Sequence, residues 1–287
     1  MMKIFLSAGL FLGLEFSVHA QEDLLASIEA EMKEPIQYAE ATFKGSRLIN
    51  GHSVITRKRS SLEFLISHRF GRINSGAYEF FGLDGANVRF GLEYGLTNQL
   101  TLGIGRNSFQ KTYDGFAKYA LARQHKGEKN FPVSVTWFSS MAVKTLKQAE
   151  PADDNSFSSK IAYSHLILIA RKFSPSISLQ IMPALIHRNE VNDPQKNDIY
   201  ALGAGGRVKL SKRLSLNMEY YYRFNTDELD PYHNSIAIGV DIETGGHVFQ
   251  LHLTNSQAMI EKGFVAETTG DFFDGDIHFG FNISRVF

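Results

Sequence analysis

From Ser61 to the end of the chain, apolar and polar residues alternate with a period of two in one short run after another. Residues 88–94, for example, read V-R-F-G-L-E-Y, with an apolar side chain at every second position. Such alternation is typical of a β-strand with one apolar and one polar face. Counting these runs predicts about twelve strands, and therefore an all-β fold.

The connections between the predicted strands alternate in length. Short turns at 97–99, 174–176, 211–213 and 244–246 follow strands two, six, eight and ten, and longer loops at 71–86, 144–158, 188–198, 225–234 and 255–274 follow odd strands. The connection near 124–131 is longer than this rule prefers, and the one after strand three is shorter. Short periplasmic turns and long outer loops are typical of a transmembrane antiparallel β-barrel. Alternation alone also fits a soluble β-sandwich.

The last run, residues 277–287, reads I-H-F-G-F-N-I-S-R-V-F and ends on Phe287. Ile277, Phe279, Phe281 and Ile283 share the apolar face. We expect that face to contact outer-membrane lipid, and we expect the strand ending in Phe287 to be the signal that the barrel assembly machinery recognises. In strand nine, Tyr220-Tyr221-Tyr222 with Phe224 suits an aromatic girdle at the membrane interface.

The first part of the chain has a different pattern. Residues 1–20 combine Lys3, an apolar run and a V-H-A site, which predicts a secretory signal peptide. Residues 21–34 have helical spacing, and residues 36–59 are irregular. We therefore divide the chain into a signal peptide (1–20), an N-terminal periplasmic or plug segment (21–59) and an outer-membrane barrel (60–287). The segment 21–59 either enters the lumen, lies across the periplasmic mouth or forms a flexible tail.

Charge and composition narrow the function. The chain has 30 Lys and Arg against 30 Asp and Glu, so no bias indicates nucleic acid, and it has no Cys. The polar faces carry charges of both signs, which we predict to line the lumen: Glu63, Arg69, Arg89, Glu93, Arg207, Glu219, Arg223 and Asp241. Such side chains either bias ions in an aqueous path or form ion pairs that fill a narrow barrel. A channel or uptake barrel for small solutes is the leading hypothesis, and a structural or partner-binding barrel with a filled lumen is the alternative.

An enzymatic role has weaker support. A metal site needs convergent ligands, and His68, His165, His187, His247, His252 and His278 show no tight ligand spacing. A serine hydrolase is the third hypothesis, but Ser164 and His165 are neighbours on opposite faces of a strand, and no G-x-S-x-G elbow occurs. We therefore predict a non-enzymatic protein with no cofactor and no metal.

Several blocks of sequence resemble a known family. They are A-T-F-K (41–44), I-N-G-H-S (49–53), S-H-R-F-G-R (67–72), G-L-E-Y-G (91–95), Q-K-T-Y-D-G-F (110–116), A-L-G-A-G-G-R (201–207), D-I-E-T-G-G-H-V-F-Q-L-H (241–252) and F-N-I-S-R-V-F (281–287). In this order they resemble bacterial membrane β-barrel proteins grouped as domain of unknown function 5777. The resemblance implies an outer-membrane barrel from a Bacteroidota-type bacterium, and it implies no activity and no site residues.

Overall fold

Twelve antiparallel strands form one closed barrel in the computed structural model. It describes residues 35–127, 129–147, 156–191, 195–227 and 229–287. The strands are β1 (Leu62–Arg72), β2 (Ala86–Gly95), β3 (Leu100–Asn107), β4 (Tyr113–Ala122), β5 (Ser134–Val143), β6 (Ile161–Lys172), β7 (Ile177–Arg188), β8 (Asp198–Lys209), β9 (Leu214–Arg223), β10 (Ser235–Thr244), β11 (His247–Thr254) and β12 (His278–Val286). The predicted twelve-stranded barrel is confirmed. The signal peptide and the helix predicted at 21–34 lie outside the described residues.

Each strand pairs with its neighbours in sequence, and β12 closes the barrel against β1. In that closing seam Ile283 lies opposite Ile66, with one register irregularity between His278 and Gly280. Closure leaves no sheet edge unpaired, and in lipid only helices and closed barrels satisfy the backbone in this way. Within the described residues, no helix is long and apolar enough to cross a membrane.

The alternation of side chains separates the two faces of the wall. Outward side chains such as Phe90, Leu92 and Ile104 are exposed, whereas Arg89 and Glu93, which flank Phe90 and Leu92 on β2, are buried. Because successive residues of a strand point to opposite faces, the buried set faces the barrel interior. Tyr221 belongs to this inward set and is fully buried, while Tyr222 and Phe224 point outward. The interface girdle predicted for this run therefore excludes Tyr221.

The two mouths differ in the length of their connections. On one mouth, called here the turn side, the connections are residues 96–99, 123–133, 173–176, 210–213 and 245–246; on the other, the loop side, they are 73–85, 108–112, 144–160, 189–197, 224–234 and 255–277. The long connection 123–133 carries a short strand, His125–Lys126, that pairs with Gln37–Tyr38. The arginine of Arg123 also lies 4.7 Å from the centre of the Tyr38 ring. The connection 123–133 is long enough to carry this short strand, and the N-terminal part of the chain pairs with it.

Candidate functional site: the filled lumen

Residues 42–57, called here the inner segment, run from the turn side into the barrel. Before them, the amide of Ala39 bonds to the carbonyl of Gln124 on the turn side. Within the segment, the amide of Ser53 donates to Ser46 O (2.9 Å), Arg47 and His52 form an antiparallel bridge, and Leu48 N bonds to Gly51 O. The segment therefore makes a small hairpin whose tip is residues 48–51. Residues 45–54 are all buried.

A single carboxylate of the wall holds the tip of this hairpin. Glu219 on β9 accepts the amide of Asn50 at 2.7 Å, and the amides of Ile49 and Gly51 at 3.3 Å and 3.2 Å. A Cβ added at Gly51 would lie 2.1 Å from Tyr221 Oη, so only glycine fits there. Buried backbone amides need acceptors, and hydrogen bonds to a charged acceptor are stronger than neutral ones. Glu219 is thus the main anchor of the tip.

Inward polar side chains from strands all round the barrel bind the rest of the hairpin. The amide group of Gln180 accepts from Val54 N and donates to His52 O, both at 2.8 Å. Further bonds run from Gln250 to Leu48 O (2.7 Å), Asn282 to Ile49 O (2.9 Å), Thr136 to Val54 O (2.9 Å) and Lys118 to Ser53 O (3.2 Å). The wall therefore contacts the hairpin mostly through side-chain to backbone hydrogen bonds.

Residues 255–270, called here the inner loop, fold into the barrel from the loop side. They include a short helix, α1 (Glu261–Ala266), that is buried except for Lys262. Phe264 of α1 packs edge-on against Tyr221, with ring centres 5.1 Å apart. Glu261 meets the inner segment, at 3.5 Å from Arg47 Nη1 and 3.7 Å from His52 Nε2. Two segments that enter from opposite mouths thus touch inside the barrel through an ionic contact.

At the loop side, the inner loop is tied to the wall by Glu267. Its Oε2 accepts from Lys262 Nζ at 2.6 Å, and its Oε1 lies 3.5 Å from Arg188 Nη1 at the end of β7. Burial lowers the pKa of Lys262, because desolvation disfavours the ammonium form, and the neighbouring Glu267 opposes that shift.

One half of the lumen is apolar rather than polar. The apolar cluster joins inward residues of β4 to β9 with side chains from both inserted segments: Phe43, Leu48, Val54, Phe116, Phe138, Leu166, Leu168, Met182, Ile186, Ile199, Tyr221, Phe264 and Val265. Burial of such side chains contributes roughly 1.5–3 kcal/mol each relative to leaving them exposed. The inserted segments are therefore packed against the wall as well as hydrogen-bonded to it.

The structure places all eight charged residues singled out in the sequence on the inward face, each exposed by 5% or less: Glu63, Arg69, Arg89, Glu93, Arg207, Glu219, Arg223 and Asp241. Four of them contact the inner segment. Besides Glu219, Arg69 donates to Asn50 Oδ1 at 2.7 Å, Glu63 lies 3.6 Å from Arg57 Nε, and Glu93 lies 3.8 Å from Arg47 Nε.

Two carboxylates of the wall, Glu63 and Glu93, lie close together and require nearby cations. They lie directly opposite each other on β1 and β2, where like charges destabilise a sheet. Arg57 and Arg47 of the inner segment each approach one of the two carboxylates. The inner segment therefore adds two cations beside this like-charged pair, next to the wall's own buried Lys118 and Arg89.

Of the other four predicted residues, three form ion pairs within the wall and its loops. Arg89 bonds to Asp114 across β3, with Nε to Oδ1 at 2.9 Å, and Gly105 leaves the space, since a Cβ there would lie 2.2 Å from Arg89 Nη2. Arg207 pairs with Glu243 at 3.1 Å. Arg223 pairs with Asp230 of the 224–234 loop at 2.6 Å. Asp241 is buried opposite Gln250.

Several residues of this site were not singled out in the sequence. Arg47, His52 and Arg57 lie in an irregular segment that has no period, and Glu261 lies in a long loop. The turn-forming pair Asn50-Gly51 was a local sign of the hairpin. Lys118 and Asp114 lie on the inward face of β4, whose alternation is less regular because Ala117 and Gly115 occupy outward positions.

Ser164 and His165, the candidate hydrolase pair, point to opposite faces of the wall. Ser164 faces inward, whereas His165 faces outward and bonds through Nδ1 to Ser139 Oγ on β5 at 2.9 Å. Across the described part of the chain, nothing hydrogen-bonds the other ring nitrogen of His165 in the way that a triad requires. Among those same residues no three His, Asp or Glu side chains converge as metal ligands.

Comparisons with solved structures find barrels. The chain is similar to a structure titled NanC porin (8% identity, 78% of this chain and 98% of that one, TM-score 0.49). It is also similar to KdgM porin (10% identity, 79% and 99%, TM-score 0.48) and to Salmonella typhi OmpF (9% identity, 79% and 97%, TM-score 0.39). Comparison with the curated proteins gives no significant match.

A family model described as membrane bound beta barrel domain, domain of unknown function 5777, matches residues 43–287. The match covers the inner segment from Phe43, all twelve strands and the inner loop. It confirms the resemblance seen in the sequence blocks. The chain therefore belongs to this family of membrane-bound β-barrels.

Proposed function

We propose that this protein is an outer-membrane barrel whose lumen is closed by its own inner segment and inner loop, and which admits small polar solutes when the inner segment leaves. The observation that carries the proposal is the hold of Glu219 on the hairpin tip. That contact, like most of the wall's polar contacts to the segment, joins a wall side chain to the hairpin backbone. Water can replace such bonds on both partners, so withdrawal of the segment would leave a hydrated, charged passage.

The alternative is a barrel that stays filled and serves as a structural or binding scaffold. The apolar half of the lumen favours it, since Phe43, Leu48 and Val54 would lose their burial on withdrawal. A purely apolar filling would also be the more stable choice for a permanent core, because buried ion pairs often stabilise less than packed hydrophobic residues. A lumen with both apolar and charged contacts therefore supports an inner segment that is stably bound in the closed barrel and can still dissociate from the wall.

Conductance measurements in planar bilayers distinguish the channel proposal from the permanently filled barrel. Residues 21–287 should insert without conducting. A version lacking residues 21–57 should give discrete, reproducible steps, because it loses the hairpin and the cations opposite Glu63 and Glu93. The matched control lacks only residues 21–41 and keeps the inner segment, and it should stay closed. If the longer deletion inserts and remains silent, the barrel is filled without the segment and the channel proposal fails.

A further inference from the structure

A polar pocket of about 190 Å³ lies at the loop-side mouth. Its lining comes from five loop-side connections, from the start of β6 and from the end of β7. Loops that converge around one concave, polar spot on a rigid barrel are a common arrangement for binding sites. The charged side chains of the lining are Lys144, Lys160, Arg188, Glu190, Lys262 and Glu267.

The charge of this lining is positive. Four cations face two carboxylates, and one of these, Glu267, is already shared by Lys262 and Arg188. Within the described ranges, neither Lys144 nor Lys160 has an ion-pair partner. Among the described residues, the lining therefore retains positive charge that no carboxylate pairs.

Arg188 gives the pocket a fixed positive charge. Its side chain is 3% exposed, its Nη2 donates to Lys196 O at 2.7 Å, and its guanidinium lies 5.8 Å from the centre of the Tyr232 ring. In the part of the chain that the structure describes, its Nε finds no acceptor. Because its Nη1 and Nη2 are held by Gln195, Glu267 and Lys196 O, the guanidinium contributes an immobilised positive charge beside the pocket, and charge of this sign attracts carboxylate and phosphate groups.

We infer that this pocket binds a small anionic solute, a carboxylate or a phosphate, from the loop side. Lys144 and Lys160 supply its free charge, and Arg188 and Lys262 add positive charge that their bonds to Glu267 hold in place. A cavity of about 190 Å³ has room for a molecule of the size of a short dicarboxylate. The inference does not require the barrel to open, because the pocket lies outside the closed lumen.

The test is calorimetric titration of residues 21–287 in lipid nanodiscs with three probes. Succinate and inorganic phosphate represent the two anion classes, and succinamide is the uncharged counterpart of succinate. At least one of the anions should bind saturably, succinamide should bind at least ten-fold more weakly than succinate where succinate is the ligand, and added salt should weaken anion binding.

Substitutions in the lining test whether the anion binds in this pocket. The double variant Lys144→Gln/Lys160→Gln should weaken anion binding at least ten-fold. Lys147→Gln, the same change on an exposed residue of the same connection, should leave binding unchanged. Both proteins are first shown to retain the barrel by their mobility on unheated gels. Absence of saturable binding for both anions, equal binding of succinamide, or an unaffected double variant would overturn the inference. A barrel that never conducts but binds an anion here would refute only the channel proposal.

Discussion

At the scale of single residues, the lumen depends on a few inward groups that serve the backbone of another segment. Glu219 is the clearest case, because three consecutive amides at 49–51 converge on its two oxygens. Its position on the inward face of β9 follows from the alternation, but its role does not, since the three amides lie about 170 residues earlier in the chain.

The substitution Glu219→Gln should loosen the hairpin without opening the barrel wall, whose strand pairing it does not touch. A neutral amide offers one weaker acceptor in place of two charged oxygens, so we expect a loss of about 1.5–3 kcal/mol in local stability. Hydrogen exchange at residues 49–51 measures it. The control is Glu79→Gln, the same change at an exposed loop position. Unchanged protection at 49–51 would show that Glu219 is not the anchor.

At the scale of elements, the inner segment and α1 act on each other although they enter from opposite mouths. Glu261 approaches both Arg47 and His52, and Phe264 packs against Tyr221, which in turn lies under Gly51. Groups in one packed network respond jointly to substitution. A change at either element is thus expected to reach the other.

A double-mutant cycle with Arg47→Gln and Glu261→Gln measures that coupling. Each single change leaves a buried charge with a poorer partner, whereas the double change removes both charges. We therefore expect the double variant to lose less stability than the sum of the singles, by about 0.5–3 kcal/mol. The readout is the denaturant dependence of hydrogen exchange at residues 46–53. Strict additivity would mean that the two elements are energetically independent.

At the scale of the whole molecule, the connection lengths give the barrel two distinct mouths. The inner segment begins at the turn side, and the inner loop belongs to the loop side. Bacterial outer-membrane barrels place short turns in the periplasm and long loops outside. We propose this orientation here, with insertion by the barrel assembly machinery through the strand ending in Phe287.

Single cysteines test the orientation cleanly, because the chain contains no Cys of its own. Asp274→Cys, exposed in the 255–277 connection, should react with a membrane-impermeant maleimide on intact cells. Ser211→Cys, exposed in the 210–213 turn, should react only after the outer membrane is permeabilised. Equal labelling of the two would mean another membrane or another orientation, and the reverse pattern would mean an inverted barrel.

The wall of this barrel follows from the order of residues along the chain. Strand number, the inward positions of the eight charged residues and the order of short and long connections all follow from local rules, since a strand alternates with period two whatever lies opposite it. The filling of the interior could not be predicted in this way, because it depends on how distant segments pack together. The entry of the 42–57 segment depends on the space that twelve closed strands leave inside the barrel. Its meeting with Glu261 of the 255–270 loop depends on contacts between distant parts of the chain. Tyr221 shows both parts, because alternation with Glu219 and Arg223 turns it inward, whereas its contact with Phe264 of the inner loop depends on a segment from another part of the chain.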